Sequence, residues 1–520
     1  MTYPRFRTAQ NGLYMDTSRP GRDLRVTGLL ASSVALVILW VASALWQDAP
    51  FAPSALAEGI IRWTPGGLAT FFIEVLGHWA RRLLTVGAIA AALFVGVEAL
   101  VRTARKTAPR PVLAAIVLAV LAGAASFASP TQNANPALIV IAVAAAAAAY
   151  VLAARSFGRA LADAGADEDR RRVLRLGFGA AAGLTVGGAV IGYLGRMMGG
   201  PDTNVNLVAP AEPARIPDRP GFPDIPGLSD EVTSVADHYV VDINLVQPSI
   251  DAGEWTLHVM GEVEEPLEFD FNELQERFEV VQEYSVLCCV SNEVGGDLIG
   301  NSAWGGVRLK DVLDAAGIRA GATDVVLRAA DGYSDSIPID RATDPSVLIA
   351  VSQNGKPLRQ EHGFPCRVRI PDIYGMKNVK WLESIELVTE DYQGYWQDRG
   401  WSDVATVRTE SRIDVAGDDF AARAGEETWI AGIAWAGGRA ISKVEVSTDG
   451  GSSWNEALLK EPIASASWTL WAFRWKPEAA GTAEVVCRAT DGTGVTQTQE
   501  VAEPHPAGAT GYHRMSVSVA

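Results

Sequence analysis

The sequence predicts a membrane-anchored, multi-domain chain. Five transmembrane helices come first, then a water-soluble α+β core, then a C-terminal immunoglobulin-like β-sandwich. Three observations carry this. Residues 26 to about 197 are dominated by Ala, Leu, Val and Gly, whereas the chain beyond has the mixed charge of a soluble protein. Strand-like and helix-like runs are mixed irregularly between about 231 and 407, unlike the strict alternation of a doubly wound sheet. From about 408 onward short strands follow one another with Asp-Gly turns between them. A length of 520 residues suits three or so domains.

The expected spans are 26–46, 83–101, 111–128, 137–154 and 176–195. Each is close to the roughly 20 apolar residues that cross about 30 Å of hydrocarbon. The fourth is rich in Ala and is the weakest of the five. Segment 55–80 is apolar but interrupted by Pro65, Gly66 and Gly67, and reads as an interfacial or re-entrant helix. Basic residues alternate between loops. The N-terminal tail holds Arg5, Arg7, Arg19, Arg22 and Arg25, and the second inter-span loop holds Arg102, Arg105, Lys106 and Arg110. The fourth holds Arg155, Arg159, Arg170, Arg171, Arg172 and Arg175, while 129–136 carries no charge. The positive-inside rule then gives a multi-pass protein of a bacterial cell membrane, in contact with membrane lipid, with its N-terminus cytoplasmic and everything after 197 extracytoplasmic. Arginines 170–172 before a mild, Gly-rich span read as an internal twin-arginine export signal or as positive-inside charge alone.

The domain boundaries follow from composition: 1–197 for the membrane region, 198–230 for a Pro/Gly-rich tether, 231–407 for the core and 408–520 for the sandwich. The net charge of -17 lies mostly in the soluble half and excludes nucleic acid as a partner. Four cysteines, Cys288, Cys289, Cys366 and Cys487, do not build a disulfide framework in a chain this long, but leave room for one reactive or metal-bound thiol.

Two stretches carry candidate chemistry. Cys288-Cys289 closes a strand and enters a Gly-rich loop, Val290 to Asp297. Adjacent strand residues point to opposite faces, so at most one of the two faces a site; the competing reading is that both are small buried hydrophobes. The run from His362 to Trp381 concentrates His362, Arg367, Lys377, Lys380 and two glycines in an otherwise acidic domain. Clustered cations with accessible backbone suit a phosphate, and interleaved Pro, Ile, Tyr and Trp argue against a solvated basic edge.

These residues resemble a known family. Residues 238–405 are similar to the molybdopterin-binding core of the sulfite oxidase family, and 408–520 to its immunoglobulin-like dimerisation domain. The resemblance rests on Leu287 to Asn292, Trp304 to Val307, Asp331 to Tyr333, His362 to Trp381 and Ala434 to Gly438. The five-span front end resembles actinobacterial membrane-anchored members. The resemblance implies a sulfite-oxidase-type fold in the core, molybdenum-molybdopterin as cofactor and a homodimer. It makes Cys289 the catalytic thiolate ligand of the metal, Cys288 structural, and Tyr239, Asn292, Asp331, His362, Arg367, Asn378, Val379 and Lys380 cofactor-binding. Tyr392, Tyr395 and Arg399 are candidates for the substrate mouth, or else part of an aromatic domain seam.

Departures bear on the substrate. An Arg follows the motif's Asn in sulfite oxidases; here it is Glu293, and Tyr239-Val240-Val241-Asp242 replaces an Arg-Asn-His motif. A carboxylate facing sulfite would repel it. The expectation is two-electron oxygen-atom transfer on a small-molecule substrate, with reduction of S-oxides favoured over oxidation of sulfite. Haem is not expected: Cys-x-x-Cys-His is absent and His78 is the only histidine of the membrane half. Electrons would pass to or from a separate protein or a quinone. The rival is a membrane-tethered, non-enzymatic binding module that has lost the cofactor.

Overall fold

The computed structural model describes residues 20–46, 49–64, 79–104, 110–128, 135–163, 175, 179, 183, 205–214, 216, 221–243, 247–417 and 421–520. The chain divides into two compact units, one of membrane-region helices and one holding Pro201–Ala520.

The first unit contains α1 (Pro20–Leu45), α2 (Ala52–Trp63), α3 (Trp79–Thr103), α4 (Pro111–Phe127) and α5 (Pro136–Asp163). Stretches of 23, 21 and 26 residues in α1, α3 and α5 are long and apolar enough to cross a membrane. The Ala-rich segment read as the weakest span is the longest of these and, at a mean hydropathy of 2.5, the most apolar. The third expected span forms α4, a shorter apolar helix of 17 residues. In segment 55–80 the described part is α2, whose 12 residues rise only about 18 Å, too short to span. Residues 65–78 of that segment, all of the fifth expected span except 179 and 183, and the arginines at 170–172 fall outside the described residues. Many outward side chains are apolar, among them Phe94, Val120 and Leu152, as a lipid-facing surface requires. Tyr150 of α5 donates to the Gly96 carbonyl of α3 at 2.8 Å.

In the second unit, the described part of the segment read as a Pro/Gly-rich tether is extended, and its polar backbone finds partners in the core. The amides of Val208 and Ala214 donate to the side-chain carbonyls of Gln275 and Gln282, both at 3.1 Å. Extended Pro-rich backbone has no internal hydrogen bonds, so the core supplies acceptors.

The core follows as β1 (Leu257–Gly261), β2 (Leu267–Phe269), α6 (Phe271–Arg277), β3 (Val280–Cys288), β4 (Ile299–Arg308), α7 (Leu309–Ala316), β5 (Asp324–Ala329), β6 (Ser334–Pro338), α8 (Ile339–Ala342), β7 (Leu348–Gln353), β8 (Lys356–Pro357), β9 (Arg367–Arg369) and β10 (Leu382–Val388). One sheet runs β2-β1-β10-β5-β6, and a second runs β3-β4-β7-β8 with β9 on β7. Only β1 and β10 pair in parallel; the remaining core pairs are antiparallel. Asp270 caps α6 through the amides of Asn272 and Glu273, and Glu273 returns the bond to the Asp270 amide. Strand β4 carries Gly300, Gly305 and Gly306, which interrupt the side-chain pattern of a strand. It is buried almost throughout, so no alternation marks it. Gly306 is needed there: a Cβ would come within 2.0 Å of the Ile349 carbonyl oxygen.

The C-terminal β domain holds β11 (Glu410–Ala416), β12 (Ala421–Ala422), β13 (Thr428–Trp435), β14 (Ile441–Ser447), β15 (Asn455–Glu456), β16 (Leu458–Leu459), β17 (Thr469–Trp475), β18 (Gly481–Asp491) and β19 (Arg514–Val519). Its two sheets run β11-β13-β17-β16 and β12-β19-β18-β14-β15. Ile413, Ile430, Trp471, Val444, Val485 and Val517 are among the residues of its apolar core. A further apolar cluster joins core and β domain: Val286, Cys288, Val290 and Tyr374 pack with Ile433, Trp435, Trp468 and Leu470. The strand that ends at the cysteine pair is thereby anchored from behind.

Candidate active site

A cleft opens in the core, where β3 ends. Its wall includes Cys289 and Ser291 beyond β3, Tyr239 to Ile243 from the preceding segment, and Asp331 and Tyr333 from the turn between β5 and β6. His362, Arg367, Gly375, Met376, Asn378, Val379, Lys380 and Trp381 complete the far side, with Trp396 and Trp401.

The alternation of the strand separates the two cysteines as expected. Cys289 lines the cleft, whereas Cys288 packs into the apolar seam. All four cysteines are free thiols. Burial pushes the Cys289 thiol above its usual value, opposed by hydrogen bonds from Ser291. Cys288 is pushed much further by burial and then by Glu410. A loop holds Cys289 in place: its amide donates to the Leu298 carbonyl at 2.9 Å and its carbonyl accepts from the Asn292 amide at 3.0 Å. Asn292 is buried but is not among the lining residues. Its side-chain oxygen accepts the Leu298 amide at 2.9 Å, closing the loop that carries the thiol.

The cations divide into two kinds. Arg367 and Arg369 alternate on β9, are fully buried and form no ion pair among the described residues. Arg367 donates to the carbonyls of His362 at 3.1 Å and Asn378 at 2.9 Å, and its Nε has no partner. Burial lowers its guanidinium to about 10, and that of Arg369 to about 9. Both lie over the Trp304 ring. Lys380 lies 3.3 Å from Asp242 and donates to the Glu361 carbonyl at 3.1 Å, with burial lowering it to about 8. Lys377, grouped with the phosphate-binding cations from sequence, is not on the wall; it is ion-paired to Asp335 and Asp403. Arg369, not named from sequence, is off the wall too; it donates to the Asn378 side-chain oxygen at 2.9 Å and to the Ile370 and Val286 carbonyls.

His362 sits on the wall with Nε2 3.0 Å from the Val235 carbonyl, its pKa lowered by burial. Next to it, His238 is held down to about 3 by burial and then by His362, so both rings are neutral at pH 7. Asn378 donates to the Tyr374 carbonyl at 3.1 Å and accepts from the Ile370 amide at 2.7 Å, which fixes the loop before β10. Asp331 accepts the Tyr333 amide at 2.9 Å, so it shapes the turn as well as facing the cleft. Tyr392, Tyr395 and Arg399 are not among the lining residues. The Tyr392 hydroxyl is 2.8 Å from the Ser334 hydroxyl, and the Arg399 guanidinium stacks 3.7 Å above the Tyr395 ring. Their neighbours Trp396 and Trp401 occupy the wall instead. Glu293 is exposed and also off the wall, so the expected repulsion of an anion does not arise from it.

Two family models match this chain: the oxidoreductase molybdopterin binding domain over residues 244–396 and the Mo-co oxidoreductase dimerisation domain over 402–519. The uncharacterized oxidoreductase YuiH of Bacillus subtilis (strain 168) is 33% identical over 151 residues, covering 29% of this chain and 74% of that protein. This chain belongs to the sulfite oxidase family. Human mitochondrial sulfite oxidase is 32% identical over 299 residues, covering 48% of this chain and 54% of the relative. The chain thus spans about half the length of the mammalian sulfite oxidases it matches. The sulfane dehydrogenase SoxCD structure from Paracoccus pantotrophus superposes with a TM-score of 0.50 at 20% identity, covering 61% of this chain and 94% of that one, and so shares the fold.

The residues fit a molybdopterin. Cys289, alone of the four cysteines, lies on the cleft wall, where its thiolate would be a soft donor of the kind that molybdenum–dithiolene chemistry suits. Buried Arg367, without a carboxylate partner and with Nε unsatisfied, calls for an anion. Gly375 keeps the wall thin, since a Cβ there would approach the Tyr239 hydroxyl to 2.7 Å.

At the seam behind Cys288, Glu410 is 3% exposed and one carboxyl oxygen has no partner. Burial raises it from 4.5 to about 8, with Arg408 opposing. The folded state therefore keeps a proton that the unfolded chain releases between those values, and stability declines as pH rises from about 4.5 to 8. At about 1.4 kcal/mol per pH unit, the decline is at most about 5 kcal/mol. Thermal melts in detergent should show a falling apparent Tm across that window and a flatter profile for Glu410→Gln. Identical profiles would contradict this assignment.

Proposed function

We propose that this chain is a membrane-anchored molybdenum oxidoreductase that transfers an oxygen atom in a two-electron reaction on the outer face of a bacterial membrane, and that it reduces neutral S-oxides rather than oxidising sulfite. Cys289 on the cleft wall is the observation that carries the reading. When bound, the cofactor supplies the redox chemistry. The protein's residues do the rest. Cys289 offers the thiolate, Arg367 and the neighbouring Arg369 offset the cofactor's negative charge, and His362, Asn378, Val379 and Lys380 bound its binding wall.

The preference for an uncharged substrate rests on what remains. Lys380 is already neutralised by Asp242, and Arg367 is committed to the cofactor in this reading. The other lining groups include Val240, Val241, Val290, Met376, Trp396 and Trp401. Val240 and Val241 are 44% and 42% exposed, which suits the rim. A sulfite anion would leave water for an apolar mouth with no spare cation, at a cost of several kcal/mol. An S-oxide takes two electrons and two protons and leaves as the sulfide plus water. The electrons come from a quinol or a separate protein. The alternating basic loops support the outward orientation of this half. An internal twin-arginine signal would allow the core to be exported already folded around its cofactor.

The test is turnover by detergent-purified, molybdenum-loaded protein. Reduced viologen with methionine sulfoxide or dimethyl sulfoxide should give turnover, and sulfite with ferricyanide little. Efficient sulfite oxidation would reverse the substrate assignment. Absence of molybdenum after expression in a molybdenum-replete host would replace the enzyme reading with the cofactor-free binding module.

A further inference from the structure

Lys377 is 2% and Asp335 0% exposed in the side chain, and neither lies on the cleft wall, yet they form an ion pair at 2.9 Å. The ammonium also binds Asp403 at 2.7 Å and the Ser336 carbonyl at 2.8 Å, so all three of its protons are used. Asp403 is 41% exposed. On the inner side, the Tyr333 hydroxyl lies 3.1 Å from the second oxygen of Asp335 and 2.7 Å from the Met376 carbonyl. Tyr333 is itself part of the cleft wall. Hydrogen bonds therefore run unbroken from the exposed Asp403 through Lys377 and Asp335 to Tyr333, a residue of the cleft wall.

A buried ion pair adds little to stability compared with apolar residues of the same volume. A continuous chain of exchangeable protons ending at a redox cleft gives it another purpose. We propose that Asp403, Lys377, Asp335 and Tyr333 form a proton relay between solvent and the cleft, with Asp335 as the group that holds the proton. The proposal rests on the oxygen-transfer reading, since each S-oxide reduced consumes two protons in a cleft that is walled largely by apolar and aromatic side chains.

Each hop conserves protons. For an inbound proton, Asp403 takes one from water and passes it to Lys377 as the ammonium gives one to Asp335. Asp335 then protonates the Tyr333 oxygen as the hydroxyl gives its own proton to the oxygen leaving the S-oxide, which departs as water after a second such transfer. Asp335 is suited to the central place because burial raises its carboxyl, with Lys377 opposing. The charged or titratable groups facing it are Lys377 and Tyr333, and Asp331 acts on Tyr333 in turn. Burial works against the charge on Lys377, but Asp335 and Asp403 more than offset it.

The experiment uses full-length, molybdenum-loaded protein in detergent. Reduced methyl viologen, which donates electrons without protons, is mixed with dimethyl sulfoxide as the oxidant in weak buffer with a pH-indicator dye in a stopped-flow instrument. Proton uptake and viologen oxidation are read separately. Asp335→Asn and Lys377→Met should retain molybdenum but take up protons about 10²-fold more slowly, the scale of a lost acid–base group. Asp403→Asn should slow uptake less, and added imidazole should restore it; the buried variants should not respond. Variants with full molybdenum and unchanged uptake would overturn the relay alone. Should the buried variants fail to accumulate, an Asp403→Asn protein with normal, imidazole-insensitive uptake overturns it equally. Wild-type protein without molybdenum would overturn the cofactor reading and the relay with it.

Discussion

Replacing Cys289 with serine is expected to abolish turnover, while replacing Cys288 with serine leaves molybdenum content and the metal's spectrum unchanged. The two thiols are neighbours in sequence, yet they face opposite surroundings. Cys289 faces the cleft and Cys288 lies among Val286, Val290, Ile299 and Trp401. A hydroxyl is a harder and far less acidic donor than a thiol, so Cys289→Ser alters the metal's electronic environment even where molybdenum is retained. Loss of an outer-shell partner of a metal ligand costs about 10- to 100-fold, and loss of the ligand itself should exceed that. Mass spectrometry for molybdenum, the metal's absorbance and EPR spectra, and S-oxide turnover together check it. Equal effects from both cysteines would mean that the strand end does not discriminate between them. In Cys288→Ser a hydroxyl enters an apolar seam, so a lower melting temperature at intact molybdenum content is the expected outcome there.

Arg367→Met is expected to release the cofactor. The native guanidinium is buried without a carboxylate, its Nε lacks a partner and its pKa is depressed to about 10 by burial. Each feature disfavours the charge, and an anionic cofactor relieves all three. Methionine preserves the apolar stem and removes the charge. A charge-assisted hydrogen bond contributes roughly 1.5–3 kcal/mol, so cofactor retention should fall about 10- to 100-fold. Molybdenum and pterin content after gel filtration measure this directly. Arg474→Met, on an exposed pair with Glu427 in the β domain, serves as the control and should retain its cofactor. Retention by Arg367→Met equal to the control would remove Arg367 from the binding wall.

Much of the architecture was legible along the chain because it depends on local pattern. The apolar runs of α1, α3 and α5, the Asp331-Gly332 turn between β5 and β6, and the helix after Asp270 are written in consecutive residues. Strand β4 was hidden, since burial on both faces erases alternation and its glycines mimic a loop. The site shows the same division. Cys289, His362, Arg367, Asn378, Val379, Lys380, Tyr239 and Asp331 were all named from motifs, and all lie on the cleft wall. Asn292, named on the same grounds, and Tyr392, Tyr395 and Arg399, read as substrate mouth or aromatic seam because they follow that run, are absent from the wall. Sequence proximity to a motif does not determine which way a side chain turns.

Residue order alone therefore determined the long apolar helices of the N-terminal unit, the position of the thiol and the presence of a cationic segment, because hydropathy, strand alternation and charge clustering act over a few neighbouring residues. Tertiary structure alone decided which cations are unpaired. Lys377 and Arg367 look alike in the chain, but one is neutralised by Asp335 and Asp403, 42 and 26 residues away, while the other meets only carbonyls and an aromatic ring. Ion pairing depends on distance in space, and only the packed sheets bring those partners within 3 Å.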